Sequence, residues 1–133
     1  MRGTGYIAEQ LDSTIDLEPL LGASGAPVDW DNRMRCGEVT DQGQTGSCVA
    51  HALANAIQYR KSTRWHIAPK PCILSLYALA RIHSGKPLTE DTGAGLKSSL
   101  AAVTEHGWCA DSVWPWDESE VCKPQPWDVA QAT

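Results

Sequence analysis

The sequence predicts a mainly α-helical domain with long ordered loops, and two observations carry this prediction. Apolar residues recur at helical spacing in three segments, each bounded by residue types that start or stop helices. The chain of 133 residues is long enough to bury one core and too short for a second full domain. Gly and Pro interrupt residues 1–27, which we interpret as an extended arm, so the helical domain is expected over residues 28–133.

Each predicted helix has its own signal. The first is predicted over Val49–Arg60, where an Ala-rich run follows a Gly-rich polar loop. The second is predicted from about Ser75 to His83, with Gly85 as its stop signal. The third is predicted from about Thr92 to His106, with Thr92 as its cap and Gly107 at its end. Its apolar stripe consists of Leu96, Leu100 and Val103.

Composition and charge exclude several classes of protein. The formal net charge is −5, and the 11 basic residues are scattered, which disfavours a nucleic-acid partner. No stretch approaches the ~20 apolar residues of a membrane span, and Met1–Gln10 lacks the pattern of a signal peptide. We therefore expect a chain that is cytoplasmic or associated with a larger particle.

Metal and cofactor sites are not expected either. The five cysteines show no C-x-x-C spacing, and no His, Asp and Glu spacing suggests a metal. In a cytosolic chain all five thiols are expected to be reduced. The cysteines are Cys36, Cys48, Cys72, Cys109 and Cys122.

One loop carries candidate chemistry. Cys48 stands where the Gly-rich loop becomes the first helix, near unpaired backbone N–H groups and the positive end of the helix dipole, a place that favours a thiolate. The small residues Gly46 and Ser47 leave room for a substrate carbonyl, and the Gln42 amide is a candidate donor to an oxyanion. The alternative is an inert buried thiol. A phosphate-binding loop is disfavoured because its Lys is absent.

The residues of this loop resemble those of the papain-like cysteine peptidases. The similarity lies in Val28-Asp29-Trp30 and above all in Asp41-Gln42-Gly43-Gln44-Thr45-Gly46-Ser47-Cys48. Further segments are similar in order and spacing to bacterial and phage-type members of that family: Leu74–Tyr77, Glu90–Ala94, Gly107–Cys109 and Trp114–Asp117. The resemblance extends over about residues 27–130.

This resemblance implies a thiol protease that hydrolyses peptide bonds through a thioester. It places Cys48 as the nucleophile, Gln42 in the oxyanion hole, and Gly46 and Ser47 on the floor of the substrate cleft. Thr45 stands where many secreted relatives have a disulfide cysteine. The implied fold is the helical lobe of the papain-like fold without its β-rich second lobe.

The catalytic His and Asn of that family are missing from this sequence. They follow the cysteine by ~130 to 150 residues, whereas the chain ends at residue 133. A truncated or split enzyme is therefore expected, with a second lobe or partner chain that supplies both residues. His51, three residues after Cys48, is a local candidate base, but its apolar neighbours favour a packed imidazole.

Two other functions stay open. The chain is alternatively a catalytically inactive, peptidase-like module used in assembling a larger complex or particle, since half of a two-lobed fold exposes an apolar face. A peptidase inhibitor is disfavoured, because an inhibitor needs no oxyanion donor beside a thiol. The Trp residues after position 107 are interpreted as packing residues, and Asp117, Glu118 and Glu120 as a solvated acidic loop.

Overall fold

Three α-helices and the loops that connect them form the described part of the protein. The computed structural model describes residues 6–7 and 31–123. Helix α1 is Cys48–Lys61, α2 is Ile73–His83 and α3 is Leu96–His106. Single 3-10 turns lie at Arg33–Arg35 and Glu118–Glu120. The prediction of a mainly α fold is confirmed for these residues.

A short strand pair accompanies the helices. Strand β1, Tyr6–Ile7, pairs in parallel with β2, Ala94–Gly95, just before α3. The rest of the predicted arm, residues 1–5 and 8–27, lies outside the described residues, as does Trp127.

Helix α2 is the centre of the core. All its residues from Ile73 to Arg81 are buried, and it packs against both α1 and α3. Side chains from the last loop cover this core: Trp108, Trp114 and Trp116 all contact it. The interpretation of these tryptophans as packing residues is confirmed. Within the described residues, no helix has the length and apolar character needed to cross a membrane.

The predicted ends of the two helices that finish at a glycine agree with the structure. Gly107 ends α3 with φ +77°, and Gly85, with φ +68°, follows the C-cap of α2. Both angles lie in the left-handed region that glycine adopts without steric cost. Helix α1 begins one residue before the predicted start and ends one residue after the predicted end.

The start of α3 was predicted wrongly, and of the three residues in its predicted apolar stripe Val103 packs against the core. The helix begins at Leu96 with Gly95 as its N-cap, so Thr92 is not the cap. Leu96 and Leu100 of the predicted apolar stripe are 44% and 48% exposed, whereas Ser99 and Ala102 are buried. Small side chains let α3 approach the core closely, and this packing overrides the hydrophobic pattern.

Candidate active site

Cys48 is the first residue of α1 and follows a tightly folded loop. Ser47 is the N-cap of the helix and is fully buried, whereas Cys48 is half-buried. The first N–H groups of a helix have no acceptor within the helix, so they face the region around this thiol. The predicted positions of Ser47 and Cys48 at the loop-to-helix junction therefore agree with the structure.

Gln42 forms hydrogen bonds within its own loop. Its Nε2 donates to the carbonyl of Thr45 at 2.9 Å, and the Thr45 hydroxyl donates back to the carbonyl of Gln42, also at 2.9 Å. Nε2 carries two hydrogens, and the bond to Thr45 uses one of them. The other is the donor that an oxyanion role requires, and that role stays a prediction.

Three carboxylates hold the backbone of this loop. Asp41 accepts from the N–H of Gly43 at 2.9 Å, within the loop itself. Two more come from distant parts of the chain: Glu118 accepts from the N–H of Gln44 at 2.7 Å, and Asp91 accepts from the N–H of Gly46 at 2.6 Å. The acidic residues after Trp116 are therefore more than a solvated loop, because Glu118 is bound to the loop that precedes Cys48.

Gly43 is needed where Glu118 meets the loop. Its φ of +64° lies in the left-handed region, and a Cβ built there would stand 2.2 Å from the Glu118 carboxylate. Any other residue would both strain the backbone and displace Glu118.

His51 supports the loop from inside the domain. Its Nδ1 lies 3.1 Å from the carbonyl and 3.2 Å from the hydroxyl of Ser47, and that hydroxyl lies 2.6 Å from the hydroxyl of Thr45. A carbonyl only accepts hydrogen bonds, so this geometry assigns the proton to Nδ1. The ring meets Trp116 edge-on, with 4.5 Å between ring centroids. His51 is thus bonded to the cap of α1.

The basic nitrogen of His51 is enclosed. The residue is 6% exposed, and Nε2 is buried with no hydrogen-bond partner in the described part of the protein. Burial lowers the pKa of His51, while the hydrogen bond to Ser47 acts in the opposite direction. No described hydrogen bond joins the ring to Cys48, in agreement with the packed imidazole that the sequence favours.

The remaining histidines lie at the ends of helices or in turns. His83 and His106, near the ends of α2 and α3, both approach the Glu105 carboxylate, at 3.8 and 3.9 Å. His66 is exposed in the turn after α1. None of these three forms a described hydrogen bond with the loop that carries Cys48.

Sequence reasoning missed the residues that connect this loop to the core. Tyr77 donates a hydrogen bond to Asp91, and the guanidinium of Arg81 lies 4.2 Å from the centre of the Tyr77 ring. Both Tyr77 and Asp91 lie in segments that carry the resemblance to peptidases, and Asp91 precedes a Gly-containing turn, which is common in loops, but neither signal predicted a role for them. Nothing in the sequence indicates that Asp91 meets Gly46, 45 residues away.

The other thiols are also free. No disulfide is present among the five cysteines, all of which lie within the described range. Cys72 is fully buried, and burial raises its pKa to about 11. In the described residues, no group of three or more His, Cys, Asp and Glu side chains is arranged to hold a metal ion.

Comparison of the chain with protein-family models, with curated proteins and with solved structures found no match in any of the three.

Proposed function

We propose that this chain carries the nucleophile and oxyanion half of a cysteine peptidase. The observation that supports the proposal best is the position of Cys48, a half-buried thiol at the start of α1 whose preceding loop is held by three carboxylates. Such bracing gives a nucleophile a fixed orientation, which is a large part of what an enzyme contributes to acyl transfer.

In the proposed reaction, the Cys48 thiolate attacks the carbonyl carbon of a peptide bond. The oxyanion that forms accepts hydrogen bonds from the Cys48 N–H and from the second N–H of Gln42 Nε2. The C–N bond then breaks, the amine leaves with a proton from an imidazolium, and a thioester remains on Cys48. Water, deprotonated by the same imidazole, attacks the thioester and releases the acid.

The imidazole comes from outside the described residues in this proposal. His51 Nε2 is enclosed, and its Nδ1 is engaged with Ser47, so neither nitrogen is available to Cys48 without rearrangement. We assign the base and its orienting Asn to a second lobe or partner chain that closes a cleft over Gly46 and Ser47. A peptide or protein substrate would lie in that cleft.

Labelling with a peptidyl epoxide tests this proposal. The protein is labelled in its own cells and in purified form, and the labelled cysteine is identified by peptide mapping. We expect capture of Cys48 in cells, weaker capture of the purified chain, and none in Cys48→Ala. Cys36→Ala, which removes an exposed thiol, is the matched control and should be captured normally.

His51→Gln separates the two possible sources of the base. If the second lobe supplies it, this variant keeps capture of Cys48 to within about threefold. A loss as complete as that of Cys48→Ala, in a variant whose urea unfolding transition is unchanged, would identify His51 as the base. Absence of capture in the unmodified protein would contradict the proposal.

One observation favours the alternative of an inactive assembly module. Ile82, Leu96 and Leu100 on α2 and α3 are all more than two-fifths exposed, and apolar side chains of this size favour contact with a partner. In this case Leu100→Ser would change the assembly state of the protein, whereas Cys48→Ala would leave it unchanged. The peptidase proposal expects that Cys48→Ala abolishes capture by the epoxide and that Leu100→Ser leaves capture unchanged.

A further inference from the structure

Asp91 connects the loop before Cys48 to the buried helix α2. One carboxylate oxygen, Oδ2, accepts from the N–H of Gly46 at 2.6 Å, and the other, Oδ1, accepts from the Tyr77 hydroxyl. Gly46 stands two residues before Cys48, so the hydrogen bond acts on the last turn of backbone before the thiol. Asp91 itself belongs to the segment between α2 and α3.

Tyr77 is itself fixed in the core. It is 0% exposed, and its oxygen also accepts from the N–H of Gly93 at 2.9 Å. Burial raises the pKa of Tyr77, and the hydrogen bond to Asp91 raises it further. The hydroxyl therefore keeps its proton at neutral pH and continues to donate to Asp91.

The guanidinium of Arg81 holds the same segment through a hydrogen bond to a backbone carbonyl. Arg81 is 1% exposed, lies over the Tyr77 ring, and donates to the carbonyls of Glu90 and Val121, each at 2.7 Å. The residue before Asp91 and the side chain of Asp91 are thus both held by α2. A carboxylate held in this way places Gly46 relative to the core with little freedom.

We propose that Asp91 is a positioning residue for the Cys48 nucleophile. Through the Gly46 N–H it sets the direction in which the backbone enters α1, and so the orientation of the Cys48 thiol and N–H toward a substrate carbonyl. The inference rests on the proposed peptidase function and adds a residue whose role the resemblance to papain-like peptidases does not supply.

A positioning role and a merely stabilising role predict different results. Loss of positioning slows attack on a substrate-shaped electrophile, since misplacement of a reacting group by about 1 Å costs about 100-fold in rate. It leaves the reaction with a small reagent such as iodoacetamide nearly unchanged, because that reagent needs no oriented oxyanion donors. A stabilising role alone would change the unfolding transition and leave the ratio of the two rates as it was.

The test compares Asp91→Ala with Glu90→Ala. Glu90 is the adjacent, exposed acid, and both of its described hydrogen bonds use its backbone carbonyl, so the control loses the same charge one residue away. Four quantities are measured: hydrogen exchange of the Gly46 amide by NMR, kinact and KI for a peptidyl epoxide, and the rate at which iodoacetamide alkylates Cys48. The two epoxide constants are measured in the preparation in which the unmodified protein is captured.

For Asp91→Ala we expect Gly46 exchange to be at least about 10-fold faster and kinact about 10- to 100-fold lower. We expect KI and the iodoacetamide rate of Cys48 to stay within about threefold, and Glu90→Ala to match the unmodified protein. Unchanged Gly46 exchange, or equal losses with both reagents, overturns the inference.

Tyr77→Phe and Asp91→Asn keep the inference testable if Asp91→Ala does not fold. Phe leaves the Asp91–Gly46 hydrogen bond but removes the group that orients the carboxylate, whereas Asn keeps only one acceptor oxygen. Each should lower kinact by about 3- to 10-fold, and unchanged kinact in both overturns the inference. Absence of capture in the unmodified protein would instead refute the proposed function, and the inference with it.

Discussion

Cys48 and Cys72 both stand at the N-terminus of a helix, yet they differ in burial and in the hydrogen bonds of their sulfur atoms. Cys48 begins α1 and is half-buried, and within residues 31–123 its sulfur takes part in no described hydrogen bond. Cys72 is the N-cap of α2 and is 0% exposed. Of these two cysteines, the one that the resemblance to peptidases identified therefore has no described hydrogen bond at its sulfur, whereas the other has two.

The sulfur of Cys72 is used to build the helix. It accepts from the N–H of Ser75 at 3.3 Å and donates to the carbonyl of Trp114 at 3.1 Å. Burial raises its pKa to about 11, and the hydrogen bonds from Ser75 offset only part of that effect. A helix N-terminus alone thus does not produce a reactive thiol, because desolvation of the thiolate outweighs the favourable dipole.

The largest expected effect is in the alkylation rates of the two thiols. At neutral pH, the raised pKa of Cys72 leaves this buried thiol far less thiolate than an ordinary cysteine. We expect iodoacetamide to modify Cys48 first, the exposed Cys36 next and Cys72 much more slowly than either. Peptide mapping over time measures the three rates. Equal, slow modification of all five thiols would refute an activated Cys48.

The next largest expected effect is on the free energy of unfolding, and it concerns the loop before Cys48. Gly43→Ala should lower the free energy of unfolding by about 2 kcal/mol, since it places a Cβ at positive φ and displaces Glu118. Gly85→Ala is the matched control, because Gly85 has a similar φ of +68° with nothing within 4 Å of the new Cβ. It should cost about 1 kcal/mol, by urea unfolding.

Glu118→Ala completes this comparison. In that background the two glycine substitutions should cost the same, because the displaced carboxylate is gone. A persistent difference of about 1 kcal/mol would mean that Glu118 does not brace the loop.

The smallest effect is a dependence of stability on pH through His51. Its pKa is lowered in the folded state, so below its ordinary value of 6.5 the unfolded chain binds more protons. Stability from the neutral imidazole is complete above pH 6.5 and is lost as the pH falls toward the folded pKa. Between pH 7.5 and 5.5 the loss is at most about 1.4 kcal/mol.

His51→Gln should remove this component of the pH dependence. Urea unfolding of both proteins at the two pH values measures it, with His66→Gln, at an exposed position, as the control. Parallel pH profiles for the unmodified protein and His51→Gln would contradict a neutral, buried His51.

Local signals predicted the parts of the fold that depend on neighbouring residues. The start of α1 follows directly from a Gly-rich loop next to an Ala-rich run, and Gly107 ends α3 where only glycine adopts the required φ easily. Local signals did not predict α3 correctly. The helix begins at Leu96, and Ser99 and Ala102 are buried in it while the larger Leu96 and Leu100 stay exposed.

Contacts between distant segments set the rest of the candidate site. An arginine in a helix is usually exposed to solvent, but Arg81 is 1% exposed. Its burial is possible because three backbone carbonyls accept hydrogen bonds from its guanidinium. The hydrogen bonds of Asp91 and Glu118 to the loop likewise exist only once the chain is folded. Sequence alone predicted the loop-to-helix junction at Cys48, and the structure adds the side chains that hold this loop.

Detection of an acyl group on Cys48 tests the central claim most directly. The protein, in the preparation that shows capture, is mixed with an activated ester of a blocked peptide, quenched in acid and mapped by mass spectrometry. We predict an acyl group on Cys48 that hydroxylamine removes, as expected of a thioester, and none at that position in Cys48→Ala. Acylation of Cys36 to the same extent as Cys48, or no acyl group on Cys48, would contradict its assignment as the nucleophile.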